Sequence, residues 1–166
     1  MKTLRILAIG LAALLLAARA HAAKTKGSTG FDGLKSLVGE WEGKSADGKT
    51  AVLTSRLVSG GSAIEETLNV TGEPSMLTVY HLDGARLMVT HYCSSGNQPR
   101  LVTENAGDTG HLTFHYLDAT NLASRDAGHM KQLAISVQDA DHFTQEWTWS
   151  EKGQEKTELI HFTRKK

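Results

Sequence analysis

The sequence predicts an all-β fold, a single antiparallel up-and-down β-barrel of about ten strands with a short N-terminal helix. Segments of six to ten residues rich in Val, Leu, Thr, Ile, Tyr and Trp recur along the chain, and glycine-containing or Asp-rich turn signals separate them. Strands joined by short turns pair antiparallel, and closure into a barrel leaves no exposed sheet edge. A two-sheet sandwich is the alternative architecture.

Each predicted helix or strand follows from the spacing of apolar residues in that part of the chain. Apolar residues at positions 31, 34, 37 and 38 have helical spacing and predict one or two turns, whereas residues 23–30 are rich in Lys, Thr, Gly and Ser and predict a flexible arm. Beyond them the period is two, so the barrel domain covers residues 31–166. The predicted strands cover residues 39–45, 49–58, 62–71, 75–82, 85–93, 99–106, 111–118, 129–138, 142–150 and 155–164.

The first 22 residues have the pattern of a signal peptide. A basic start is followed by an apolar run from Ile6 to Ala18, and Ala20 and Ala22 provide small residues before the cleavage point. The run is shorter than the ~20 residues that a membrane-spanning helix needs. We therefore expect a secreted protein, located in the periplasm, with no membrane span after the leader is removed.

Composition narrows the function further. The chain carries 18 basic and 18 acidic side chains; three of the basic ones lie in the leader, so the remainder is mildly acidic. This balance disfavours binding to nucleic acid or to an anionic membrane surface. A single cysteine excludes an internal disulfide and any metal site that needs several cysteines. Because no recognised catalytic motif occurs, we expect no enzymatic activity, no metal and no cofactor.

Two hairpins indicate which side chains share a face. The Asp83-Gly84 turn predicts pairing of residue 82 with 85, and it places His81 and His91 on opposite faces, where they cannot share a metal ion. The sequence does not decide which face of this hairpin is interior. The Lys152-Gly153 turn predicts pairing of residue 150 with 155. The side chains expected to point inward from that hairpin are Phe143, Gln145, Trp147, Trp149, Ile160 and Phe162.

Candidate ligand-binding residues come from these strands and turns. His91 and Cys93 share a strand face, and we interpret them as packed side chains rather than a metal-binding or nucleophilic pair. Glu66 would be a buried acid if Ile64 and Leu68 face inward, although a solvated carboxylate is the favoured interpretation. The candidates for a cavity or its mouth are Glu66, Tyr80, Met88, His91, Tyr92, Asn97, Gln98, Arg100, Tyr116 and Trp147.

The run from Leu34 to Gly43, a short helical segment followed by Gly39-x-Trp41, resembles the opening of lipocalin-like (calycin) barrels. The resemblance implies that Trp41 packs at the closed barrel end against a basic residue from a late strand, here Arg164. The stretches from Tyr80 to Gly84 and from His91 to Arg100 further resemble uncharacterised secreted bacterial lipocalin-like proteins.

The positions of Leu37, Gly39, Trp41 and Gly43 are also distantly similar to the start of nitrobindin, which implies a haem-binding histidine near the C-terminus. His161 is the candidate, but its predicted outward orientation opposes axial ligation. We therefore expect a barrel that binds a small, partly apolar ligand. The alternatives are an enzyme using an interior Glu, His or Tyr, a haem protein, and a filled structural barrel. The sequence leaves the ligand and the oligomeric state open.

Overall fold

The computed structural model describes residues 24–103 and 106–166; the predicted signal peptide lies outside them. One helix, α1, precedes ten strands, and a 3-10 turn at Ser59–Gly61 joins the second and third strands. The elements are α1 (Lys26–Lys35), β1 (Gly39–Ser45), β2 (Thr50–Val58), β3 (Ala63–Val70), β4 (Met76–Asp83), β5 (Arg86–Tyr92), β6 (Gln98–Thr103), β7 (His111–Thr120), β8 (His129–Val137), β9 (His142–Glu151) and β10 (Gln154–Arg164). The predicted fold class is confirmed.

The sheet is closed. Each strand pairs antiparallel with the next along the chain, and β1 pairs with β10 from Trp41 opposite Arg164 to Ser45 opposite Ile160. The barrel, rather than the sandwich, is therefore the correct architecture. Within the described residues no helix is both long and apolar enough to cross a bilayer.

The flexible arm predicted for residues 23–30 is wrong from Lys26 onward, because α1 begins there. The Thr25 hydroxyl accepts a hydrogen bond from the Ser28 amide at 3.1 Å and caps the helix. A Cβ at Gly27 would collide with the Ala85 carbonyl, and one at Gly30 would lie 2.7 Å from the Ala106 Cβ. The glycines that suggested mobility thus let α1 lie close to the barrel.

The first predicted hairpin has a different register. Asp83 pairs with Arg86 and Tyr80 with Val89, so the two-residue loop is Gly84-Ala85 rather than Asp83-Gly84. Gly84, at φ +60°, takes the first loop position, where a two-residue hairpin accepts glycine. The shift is two residues, so the predicted division into two faces is retained.

The last hairpin has the predicted register, since Ser150 pairs with Glu155. Lys152 and Gly153 both have positive φ, at 50° and 75°, as a type I′ turn requires. The expected aromatic face points inward: Phe143, Trp147 and Phe162 are at most 5 % exposed.

Aromatic side chains fill the barrel end that α1 covers. The Trp41 ring meets Phe143 edge-on at 4.6 Å, and Phe143 stacks on Phe162 at 4.9 Å. The Arg164 guanidinium lies 4.0 Å from the Trp41 ring centroid, as the resemblance to lipocalin-like barrels implied. This end is therefore closed by packed side chains.

Candidate functional site at the open end of the barrel

The open end is formed by the turns that follow β1, β3, β5, β7 and β9. The interior face of the β4–β5 hairpin carries Thr78, Tyr80 and His91, each at most 2 % exposed. On β3, Ile64, Glu66 and Leu68 point inward together. The favoured interpretation of Glu66 as solvated is therefore wrong, and its side chain is 6 % exposed.

Glu66 is the centre of a buried hydrogen-bond network. Gln145 donates its amide to both carboxylate oxygens at 2.9 and 3.0 Å, and the Tyr80 hydroxyl lies 3.3 Å from each. The Trp147 indole N–H donates to the Gln145 carbonyl oxygen at 3.1 Å. The sequence alternation places these groups inside the barrel, and closure brings them together from β3, β4 and β9.

Burial raises the pKa of Glu66 to about 7, although the hydrogen bonds from Gln145 and Tyr80 partly oppose the shift. Burial also raises the pKa of Tyr80 well above its ordinary value, so its hydroxyl keeps its proton. A carboxyl with such a pKa can hold or release a proton near neutral pH. Glu66 nevertheless lines neither of the two open-end cavities described below. Its protonation state therefore affects the hydrogen bonds with Gln145 and Tyr80 inside the barrel.

His91 lies nearer the open end. Its Nδ1 is 3.0 Å from the Thr78 hydroxyl, and its ring lies 4.7 Å from Trp147, centroid to centroid. The Nε2 atom is buried and has no hydrogen-bond partner. Burial lowers the pKa of His91 to about 4, so the ring is neutral at pH 7.

Two adjoining spaces open from this region. The first, which we call the cleft, has a volume of about 360 Å³, and the second, the floor cavity, has a volume of about 30 Å³. Met76, Met130 and Trp147 line both, and His91 lines the floor cavity. The remaining wall of the floor cavity includes the apolar side chains of Leu68, Val70 and Ile160. Trp149 and Cys93 belong to the cleft.

The rim of the cleft is charged. Glu73, Lys156 and Glu158 contribute to its lining, and Lys49 binds the Glu73 carboxylate at 2.7 Å. An apolar wall with a few charged groups at its edge is the usual composition of a small-molecule site.

Four predicted site residues lie away from the cleft. Met88 is on the outward face, although only 3 % exposed, and Tyr92 points outward and is 47 % exposed. Arg100 forms an ion pair with Asp118 on the outer surface. Gln98 accepts a hydrogen bond from Thr120 at 2.7 Å and donates to the Gly96 carbonyl. These four side chains point outward because side chains alternate along a strand and the residues next to them point inward.

Asn97 and Tyr116 support the mouth instead of lining it. The Asn97 amide donates to the Gly128 carbonyl at 2.8 Å, which ties the β5–β6 turn to the loop after β7. The Tyr116 ring lies 4.6 Å from the His129 ring at the start of β8. Both contacts brace the long loop beside the cleft.

The cleft also uses residues that the sequence did not single out as candidates. Met130 faces inward because the β8–β9 register shifts between Met130 and Gln132, and simple alternation from Leu133 would point Lys131 inward. Glu73 lies in a turn, where periodicity gives no orientation. Inward alternation predicts the position of Trp149, whereas Met76 lies on a hairpin face whose orientation the sequence does not decide.

The side chains at the open end that could act as ligands determine which metal ion or cofactor this end could hold. Among residues 24–103 and 106–166, no three His, Cys, Asp or Glu side chains converge as a metal site. The haem candidate His161 is exposed on the outer surface of β10, as predicted. The floor cavity combines the imidazole of His91, the thioethers of Met76 and Met130, and the carboxylates of Glu73 and Glu158.

Comparison with known proteins shows the fold alone. A crystal structure of a protein of unknown function from the DUF3598 family of Nostoc punctiforme is similar, with a TM-score of 0.55 and 15 % sequence identity. The similarity covers 80 % of this chain and 49 % of that one, so the chain spans about half the length of that protein. No protein-family model matches the chain, and no curated protein matches it.

Proposed function

We propose that this protein is a secreted, periplasmic, lipocalin-like barrel that binds a small, partly apolar molecule in the cleft. The cleft carries this proposal: about 360 Å³ at the open end, lined by Met76, Met130, Trp147 and Trp149. The leader-like first 22 residues support secretion.

The chemistry of the wall indicates the ligand class. Indole faces and flexible methionines accommodate rings or short alkyl chains of varied shape. Lys156 at the rim offers a cation to a polar head group, while Glu73 and Glu158 disfavour a second negative charge. The proposal assigns no catalytic residue and no haem.

Native mass spectrometry of the protein purified from its own periplasm, with an absorption scan, tests this proposal directly. We expect a retained colourless mass of small-molecule size. The Ser95→Trp variant places an indole at the exposed cleft edge and should abolish retention, whereas Ser62→Trp, in a turn at the closed end, should preserve it.

A Soret band in the absorption scan would identify haem and overturn the proposal. Equal retention in both tryptophan variants would place the ligand outside the cleft. A bare chain at its calculated mass, with no change after incubation with decanoic acid or indole, would favour a filled structural barrel.

A further inference from the structure

The sulfur-containing side chains of the described residues are concentrated at the open end. These residues include Met76, Met88, Cys93 and Met130, and all except Met88 line the cleft or the floor cavity. Met76 and Met130 approach from β4 and β8 and line both spaces. Methionine often fills irregular apolar gaps, so sulfur alone does not define a site.

The buried nitrogen of His91 is the second, independent observation. Nε2 has no partner in a side chain that is 2 % exposed, and such atoms normally have one. When Nδ1 carries the proton and donates it to the Thr78 hydroxyl, Nε2 presents a free lone pair. Metal-binding histidines commonly have their other ring nitrogen fixed in this way.

We propose that the floor cavity binds a soft monovalent metal ion of the Cu(I) class through the thioether sulfurs of Met76 and Met130 and Nε2 of His91. Thioether and imidazole ligands suit such an ion, whereas hard divalent cations prefer carboxylate oxygens. The cavity volume of about 30 Å³ offers room for one ion. The site therefore lies beneath the cleft, and its occupancy does not depend on the function proposed above.

The surroundings favour a cation. The carboxylates of Glu73 and Glu158 line the cavity beside the apolar side chains of Leu68, Val70 and Ile160 and supply negative charge. The Trp147 ring beside His91 offers a π face to a bound cation and a fluorescent reporter.

Titration with Ag(I), a redox-stable ion of the same class, tests the site. The experiment uses the protein in a Cys93→Ser background in chloride-free buffer, because a thiol binds Ag(I) by itself. Calorimetry should give one ion per chain, with quenching of tryptophan fluorescence. Met76→Leu, Met130→Leu and His91→Gln should each weaken binding at least tenfold. The matched control Met88→Leu, which removes a sulfur from the outward face, should leave the affinity unchanged.

Several results would overturn the proposal. Loss of binding in Cys93→Ser alone would assign the ion to the thiol, and undiminished binding in both Met76→Leu and Met130→Leu would exclude the thioethers. An equal effect of Met88→Leu would indicate general destabilisation. Thermal unfolding of each variant checks the fold, and the two leucine variants keep the test decisive if His91→Gln does not fold.

Discussion

The Glu66 carboxyl and the His91 ring are both buried and titratable. Burial raises the pKa of Glu66 and lowers the pKa of His91. The pKa of Glu66 rises from 4.5 to about 7 on burial. The folded state therefore keeps a proton that the unfolded chain loses, and stability falls as the pH rises from about 4.5 to 7. The pKa of His91 falls from 6.5 to about 4, so its contribution to stability is lost as the pH falls through that window. Between pH 4.5 and 6.5 the two slopes oppose each other.

Replacing Glu66 with Gln should remove the decrease in stability with rising pH that Glu66 causes. The increase in stability with rising pH that His91 causes should remain. The free energy of unfolding of Glu66→Gln minus that of wild type should increase by about 3 kcal/mol from pH 4.5 to 7, at about 1.4 kcal/mol per pH unit. Urea unfolding at several pH values measures this shift.

The neighbouring Glu65→Gln variant serves as the control. Its carboxylate faces away from the interior and pairs with Arg56 at 2.7 Å, so this variant retains the buried Glu66 carboxyl and the pH dependence of stability that Glu66 contributes. Parallel pH profiles for wild type and Glu66→Gln would contradict the assignment of a raised pKa to this carboxyl.

Sequence alternation alone could place Glu66 on the face of Ile64 and Leu68. It could not show that burial is tolerated, because Gln145 lies 79 residues away in the chain and meets Glu66 only through closure. The same limit applies to His91: alternation groups it with Cys93 but does not show that this face is interior, and its unpartnered nitrogen depends on packing.

At the scale of elements, α1 depends on glycine for its approach to the barrel. Gly27 donates its amide to the Ala85 carbonyl at 3.1 Å, and a Cβ there would collide with that oxygen. Alanine gains about 1 kcal/mol of helix propensity over glycine, but backbone overpacking costs about 1–3 kcal/mol.

We therefore expect Gly27→Ala to destabilise the protein by up to about 2 kcal/mol, measured by urea unfolding. Gly107→Ala is the control, because the nearest atom to its Cβ would lie 3.8 Å away; its stability should change by less than about 0.5 kcal/mol. A stabilised Gly27→Ala variant would show that α1 rests on the barrel less closely than described.

Strands were more predictable than the elements around them. Period-two alternation and turn residues located all ten, and β1 has the predicted bounds, because its signal is local. The start of α1 was missed because its glycines are explained only by contacts with distant residues. The register shift in β8 was missed because a bulge leaves the composition of the strand unchanged.

At the scale of the whole molecule, the two barrel ends have different physical roles. The closed end combines stacked aromatic rings with α1, whereas the open end keeps a cleft between mouth loops that are held by hydrogen bonds such as that from Asn97 to Gly128. The pairing of β1 with β10 joins the first and last strands and closes the barrel. The closed end is filled by packed side chains, whereas the open end retains the cleft.

Arg164 holds the closed end together from the last strand. Its guanidinium donates to the carbonyl oxygens of Ala140 at 2.9 Å, Val38 at 3.1 Å and Ser36 at 2.8 Å while it covers the Trp41 ring. These contacts join the segment after α1, the β8–β9 turn and β10. An ammonium group cannot reproduce this planar set of donors.

Arg164→Lys should therefore lower the free energy of unfolding by about 2 kcal/mol, since each lost hydrogen bond contributes about 1 kcal/mol. The Arg56 side chain is 66 % exposed and, among the ion pairs of the described residues, pairs only with Glu65. Arg56→Lys should therefore change the free energy of unfolding by less than about 0.5 kcal/mol. Ligand and Ag(I) binding at the open end should survive both changes while the barrel stays folded. Equal destabilisation by the two variants, measured by urea unfolding, would show that closure of the barrel does not depend on the Arg164 contacts.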